Sequence, residues 1–64
     1  MIRVNGNDEE FRSESIEDLL RRLGVETRGI AVALNGEIVR RAAWSDTFVG
    51  DECSIEIVTA AAGG

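Results

Sequence analysis

The chain has 64 residues and a net charge of −5, from 7 basic and 12 acidic residues, with one cysteine and no histidine. This composition excludes an internal disulfide and a cysteine-cluster zinc site, removes the usual general base near neutral pH, and argues against a nucleic acid partner, which needs basic side chains. A domain this small buries only about 60% of its unfolded surface, so we expect a sheet with one packed helix and a carrier or binding role.

The N-terminal segment predicts a β-hairpin. Ile2 and Val4 alternate with polar residues, which is the period of a half-buried strand, and the Asn-Gly pair that follows is a strong hairpin signal. We expect the return strand to run from Asp8 to Arg12, with Phe11 pointing inward. No signal-peptide pattern precedes it, and the longest apolar run, 30–34, is too short to span a membrane. These features predict a cytoplasmic protein without membrane contact.

A helix is predicted next. Ser15 is a candidate N-cap, and Asp18 stands three residues later in the capping-box position. Gly24 and Val25 have the composition of a helix C-terminus. The apolar positions between these limits follow helical spacing and would form one buried face: Ile16, Leu19, Leu20 and Leu23.

The second half of the chain predicts three more strands. Residues 30–34 alternate, a second Asn-Gly pair at 35–36 predicts a hairpin, and 37–40 would form the fourth strand. A helical turn with an inward Trp44 is expected within 41–49, although Trp44 could instead anchor a partner. The last strand would begin at Cys53 and extend to Thr59. Its alternation places Cys53 on the core side, which favours packing over a reactive thiol.

The order strand, strand, helix, strand, strand, strand predicts one α+β domain over 1–64. We expect the β-grasp (ubiquitin-like) arrangement, in which one helix covers one face of a mixed sheet of about five strands. Ala31, Ala33 and Val58 would then lie on the open face, away from the helix, as a patch of small side chains.

The segment 59–64 ends the sequence in small residues and Gly63-Gly64. Extended, its six residues reach about 20 Å, and glycines without Cβ could thread a narrow channel. We expect a flexible tail in which Ala62 and Gly63 give a slender approach and the Gly64 carboxylate is activated as an acyl adenylate. Simple fraying of a chain end is the alternative interpretation.

The sequence resembles the ThiS family of sulfur carriers in thiamine biosynthesis. The resemblance is carried by the blocks 33–39 and 55–60, by Trp44 and by the terminal Gly-Gly. The chain departs from the family pattern in two places: Arg40 stands where the family usually has proline, and Glu52-Cys53 stand where it often has Gly-Asp.

This resemblance implies a carrier rather than an enzyme, with no cofactor of its own. An E1-like adenylating enzyme would use ATP and magnesium to adenylate Gly64. A persulfide from a cysteine desulfurase or a rhodanese-like protein would convert it to a thiocarboxylate, and thiazole synthase would accept the sulfur. The resemblance also favours Ala31, Ala33 and Val58 as docking residues for the adenylating enzyme, although they could simply be exposed to solvent.

Three other functions remain open from the sequence. The chain could carry sulfur for molybdopterin or another sulfur-containing product. It could be a ubiquitin-like modifier joined to other proteins through Gly64, because the same acyl adenylate serves both chemistries. It could also be a small interaction module in which the Gly-Gly pair is incidental.

Overall fold

The computed structural model describes residues 1–59, in which five strands form one mixed sheet with the order β2-β1-β5-β3-β4. The strands are β1 (Ile2–Val4), β2 (Asn7–Glu9), β3 (Ile30–Leu34), β4 (Glu37–Val39) and β5 (Ser54–Thr59). β1 and β5 run parallel and the other neighbouring pairs run antiparallel. With the helix α1 (Ile16–Arg22) on one face, this architecture confirms the predicted α+β β-grasp fold.

Both Asn-Gly pairs form the predicted hairpin turns. Asn5 and Asn35 each have φ of 51°, and the following Gly6 and Gly36 have φ of 85° and 88°, as a two-residue type I′ turn requires. The first turn pairs Val4 with Asn7, so β2 begins at 7 and ends at Glu9. The predicted bounds of 8–12 were therefore wrong, because the turn, rather than side-chain propensity, sets the register. Phe11 follows the strand and still packs against the core.

Helix α1 begins and ends as the sequence predicts. The Ser15 hydroxyl accepts a hydrogen bond from the Asp18 backbone N–H at 3.1 Å. At the other end Gly24 has φ of 70°. The backbone N–H groups of Gly24 and Val25 donate to the carbonyls of Arg21 and Leu20 at 3.2 and 3.0 Å, which is the Schellman pattern.

The loop between β4 and β5 contains a single turn of 3₁₀ helix, Arg41–Ala43. Trp44 follows it and is 4% exposed, and its indole N–H donates to the Val39 carbonyl at 2.9 Å. This confirms the predicted inward Trp44. β4 ends at Val39 and β5 begins at Ser54, one residue inside each predicted limit.

The core lies between α1 and the sheet face that it covers. Its buried members come from β1, α1, β3, β5 and the loop before β5: Ile2, Val4, Ile16, Leu19, Leu20, Val32, Trp44, Val49 and Ile55. None of the helices within residues 1–59 is long and apolar enough to cross a membrane.

Candidate functional site

Strand β5 leads into the segment for which the sequence predicts chemistry. It occupies the middle of the sheet, between β1 and β3. Its pairing with β3 continues to Ile30–Thr59, and Thr59 is the last described residue. The predicted sulfur-carrying Gly64 and the threading residues Gly63 and Ala62 lie outside the described residues.

Two asparagine side chains hold β5 near its two ends. Asn35 Oδ1 accepts a hydrogen bond from the Ser54 backbone N–H at 2.9 Å. Asn5 Oδ1 accepts from the Ile57 N–H at 2.8 Å, and Asn5 Nδ2 donates to the Ile57 carbonyl at 3.1 Å. Both side chains belong to the Asn-Gly turns, so each turn has a second function as a support for the strand that precedes the tail.

The open face of the sheet, opposite α1, carries a contiguous apolar patch, which we call the open-face patch. Register pairs Ala31 with Val58 and Ala33 with Ile38, so these four side chains lie on neighbouring strands of one face. Val58 is 57% exposed and Ile38 is 70% exposed, while Val32, of opposite parity, is fully buried. The prediction that Ala31, Ala33 and Val58 face away from the helix is thus confirmed, and their docking role stays a prediction.

The remaining part of the open face is polar. Arg3 on β1 pairs with Ser54 on β5 and with Asp8 on β2, and its Nε lies 3.7 Å from an Asp8 carboxylate oxygen. Glu56 pairs with Ala33 across the β3–β5 ladder and is exposed. Apolar contact area is therefore concentrated on β3, β4 and the end of β5, next to the start of the tail.

Ile38 is the docking candidate that the sequence reasoning missed. The sequence predicts Ile38 to lie in the fourth strand but does not indicate on which face of the sheet its side chain lies. A two-residue turn at 35–36 pairs Leu34 with Glu37 and Ala33 with Ile38, so the register alone would have placed Ile38 beside Ala33. Its side chain is the most exposed of the large apolar side chains that the structure describes.

Arg40 and Glu52, which depart from the family pattern, have backbone conformations that proline and glycine, respectively, adopt readily. Arg40 has φ of −64° and ψ of 146°, a conformation that a proline at this position would adopt. Glu52 has φ of 68°, in the left-handed region that glycine occupies without strain. Position 52 therefore keeps the conformation that suits the family's glycine, with a glutamate in place of that residue.

The side chain of Arg41, in the 3₁₀ turn, contacts the loop before β3. Its guanidinium lies 4.9 Å from the centre of the Trp44 ring and donates a hydrogen bond to the Thr27 carbonyl. This cation–π contact covers the outer surface of the buried indole. The position of Trp44 therefore agrees with the packing interpretation rather than with an exposed partner anchor.

Cys53 lies immediately before β5 and is half-buried against the core. Asn35 Nδ2 donates to its Sγ at 3.7 Å, and Gly50 lies close enough that an added Cβ would meet the sulfur at 3.4 Å. The predicted core-side position is confirmed, although the side chain is only partly buried. These contacts agree with a packing role.

A protein-family model described as the ThiS family matches residues 2–64. A thiazole synthase from Paramagnetospirillum magneticum is 39% identical over 62 residues, which cover 95% of this chain and 19% of that protein. The chain thus spans about a fifth of the length of the curated relative that it matches.

Solved structures give a second comparison. A crystal structure of the thiamine biosynthesis protein (ThiS) from Geobacter metallireducens superposes with a TM-score of 0.81, at 31% identity, over 89% of this chain and 88% of that one. A solution structure of a thiamine biosynthesis protein from the same organism gives a TM-score of 0.71 at 31% identity, over 89% and 78% of the two chains.

Proposed function

The chain belongs to the ThiS family, and from that premise we propose that it is a sulfur carrier whose Gly64 carboxylate becomes a thiocarboxylate for thiazole formation in thiamine biosynthesis. In this proposal the chain is the substrate of its partners and performs no catalysis itself. It binds no cofactor, and ATP and magnesium are used by an E1-like adenylating enzyme.

The observation that carries the proposal is the continuity between the open-face patch and the tail. Val58 belongs to the patch and stands one residue before Thr59, the last residue of β5. A partner that covers Ala31, Ala33, Ile38 and Val58 would therefore hold the point from which the tail leaves the sheet. Exposed apolar patches on soluble proteins often mark interaction surfaces, which is the reason for choosing docking over simple solvent exposure in this proposal.

The comparisons support the thiamine branch over the other sulfur-carrier pathways. Each relative or solved structure described above is named for thiamine biosynthesis or for thiazole synthase. In the Paramagnetospirillum protein, a segment similar to this chain is part of a protein named thiazole synthase. That relationship supports thiazole synthase as the partner that takes the sulfur from this chain.

The proposed chemistry needs only the carboxylate and its partners' groups. A carboxylate oxygen attacks the α-phosphorus of ATP, and pyrophosphate leaves. The outer sulfur of a persulfide, supplied by a cysteine desulfurase or a rhodanese-like protein, then attacks the acyl carbon, and AMP leaves. A thiol finally attacks the sulfur–sulfur bond of this acyl disulfide, which releases the thiocarboxylate and leaves a disulfide on the donor.

The test is intact mass spectrometry after incubation with the adenylating enzyme, ATP, magnesium and a persulfide source. We expect one oxygen to be replaced by sulfur, and fragmentation should locate the sulfur on Gly64. A variant with one alanine added after Gly64 should not be loaded, because its carboxylate would stand at a different depth in the partner's channel. Gly63→Ala should lower the extent of loading, and Gly63→Val should lower it further, because valine adds two methyl branches to the Cβ that alanine introduces.

Sulfur on a side chain, or equal loading of the extended variant, would contradict the proposal. A reaction without ATP serves as the control for chemical thiolation. Transfer is then measured by adding thiazole synthase to the loaded chain and following the return of the carboxylate mass. Retention of the sulfur with an active thiazole synthase would redirect the proposal to another sulfur acceptor.

A further inference from the structure

Asn5 forms hydrogen bonds to β5 at positions where the neighbouring strand β1 no longer pairs with it. The ladder between β1 and β5 has two residue pairs, Arg3–Ser54 and Val4–Ile55. Beyond it the Asn5 backbone N–H donates to the Ile55 carbonyl at 2.9 Å, and the side-chain amide of the same residue bonds both backbone groups of Ile57. Asn5 therefore continues the hydrogen bonding of β5 from Ile55 to Ile57, beyond the last residue pair of the β1–β5 ladder.

The two sides of β5 are supported differently at this end. Towards β3, backbone pairing continues through Ala31–Val58 to Ile30–Thr59. Towards β1, within the described residues, the hydrogen bonds nearest to Thr59 are those between the Asn5 amide and Ile57. The end of β5 is thus held by a backbone ladder on the β3 side and by the side-chain amide of Asn5 on the β1 side.

The turn itself does not require this amide. A type I′ turn needs positive φ at both central residues, and glycine satisfies that condition at least as well as asparagine. What glycine would lack is the pair of hydrogen bonds to Ile57. Position 5 therefore has two separable roles. Either residue can form the turn, whereas only a side-chain amide can form the hydrogen bonds to β5.

We propose that Asn5 is a positioning residue for the tail. By fixing Ile57 from the β1 side, it holds the orientation of β5 up to Thr59, and so raises the fraction of docked molecules whose Gly64 carboxylate reaches the partner's reaction centre. This inference rests on the proposed carrier function. It predicts an effect on the turnover of the docked complex rather than on docking, because the open-face patch does not include Asn5.

The chain offers a matched control in Asn35. It has the same φ of 51° and stands in a turn of the same type. At the opposite end of β5 its Oδ1 accepts a hydrogen bond from the Ser54 backbone N–H, and its Nδ2 donates to the Sγ of Cys53, the residue before the strand. Asn5→Gly and Asn35→Gly each leave a Gly-Gly turn and remove a comparable amide. Only the first variant releases the end of β5 from which the tail departs.

Two measurements on the full chain test the proposal. Amide hydrogen exchange of the free protein should be at least about tenfold faster at Ile57 in Asn5→Gly, and unchanged there in Asn35→Gly. ATP–pyrophosphate exchange with the adenylating enzyme should show kcat lowered about tenfold by Asn5→Gly, equivalent to about 1.4 kcal/mol, with KM within twofold of wild type. Asn35→Gly should leave both constants within twofold.

The outcomes separate this inference from the proposed function. Equal kcat values for the two variants, or a change confined to KM, would overturn the positioning role. Unchanged exchange at Ile57 in Asn5→Gly would overturn its structural basis. If wild type itself supports no ATP–pyrophosphate exchange, the carrier proposal and the inference that depends on it both fail, whereas normal wild-type turnover with an unaffected Asn5→Gly variant removes only the inference.

Discussion

Replacing the two largest members of the open-face patch tests whether that patch docks the adenylating enzyme. The perturbation is the double substitution Ile38→Thr and Val58→Thr, which keeps β-branched side chains in both strands. Both residues are mostly exposed in the isolated chain. Surface substitutions of this kind normally change the free energy of unfolding by less than about 0.5 kcal/mol, so the fold should be retained.

The magnitude follows from the exposed fractions. Complete burial of an aliphatic side chain of this size contributes roughly 1.5–3 kcal/mol. With 70% of Ile38 and 57% of Val58 still available for burial, a partner covering both would gain about 2–3.5 kcal/mol. Threonine keeps one methyl group at each position, so we expect a loss of about 1–2.5 kcal/mol, which corresponds to a rise in Kd of roughly 5- to 70-fold.

The assay measures the affinity of the adenylating enzyme for each variant. The Kd is obtained by calorimetric titration, or the KM for the carrier is obtained from steady-state kinetics. Phe48→Thr is the matched control, because Phe48 is 62% exposed and lies in the loop that bridges to Ser15, away from the sheet face. An unchanged Kd for the double variant, or a larger effect of Phe48→Thr, would refute the assignment of the open-face patch as the docking surface.

Three further predictions concern the fold. Removal of residues 61–64 should leave the thermal melting transition intact, because α1 and the sheet already enclose a core formed by residues between 2 and 57, as far as the structure describes the chain; a lost transition would contradict this. Cys53→Ala should lower the free energy of unfolding by about 1 kcal/mol and leave sulfur loading unchanged, whereas loss of loading in a folded variant would restore a reactive role for the thiol. Glu52→Gly should raise the free energy of unfolding by about 0.5–1 kcal/mol in denaturant titrations, because it relieves left-handed strain; a destabilised variant would contradict that reason.

Features encoded in a few adjacent residues were predictable from the sequence. The two Asn-Gly turns and both ends of α1 depend on residues whose backbone preferences are local, and all four form as expected. The β2 strand was less predictable, because its acidic residues carry little strand propensity. Beyond Glu9 the chain leaves the sheet to reach α1, where Glu14 and Arg22 form an ion pair at 2.7 Å, and the sequence gives no local sign of that long-range contact.

The candidate site was predictable in part. Alternation along β3 and β5 was enough to place Ala31, Ala33 and Val58 on the open face. Ile38 needed the hairpin register in addition, and the contact of Asn5 with Ile57 joins residues 52 positions apart. Such a contact depends on β1 and β5 lying side by side, which no local pattern encodes. The sequence thus predicted which face is open, and the structure added how the strand leading to the tail is held.

The proposed docking on the open-face patch would limit where an adenylating enzyme could hold its reaction centre. Five residues follow Thr59 in the sequence, and at roughly 3.3–3.6 Å per residue they span at most about 18 Å. If Gly64 carries the reacting carboxylate, as we propose, an enzyme that docks on Val58 and Ile38 would have to bind the α-phosphate of ATP within that distance of the end of β5. Because docking and reaction are joined by so short a segment, the carboxylate is presented at a high effective concentration once the patch is bound. Under the proposed function the sheet face would therefore supply the affinity for the enzyme, and the length of the segment after β5 would set whether the carboxylate reaches the reaction centre.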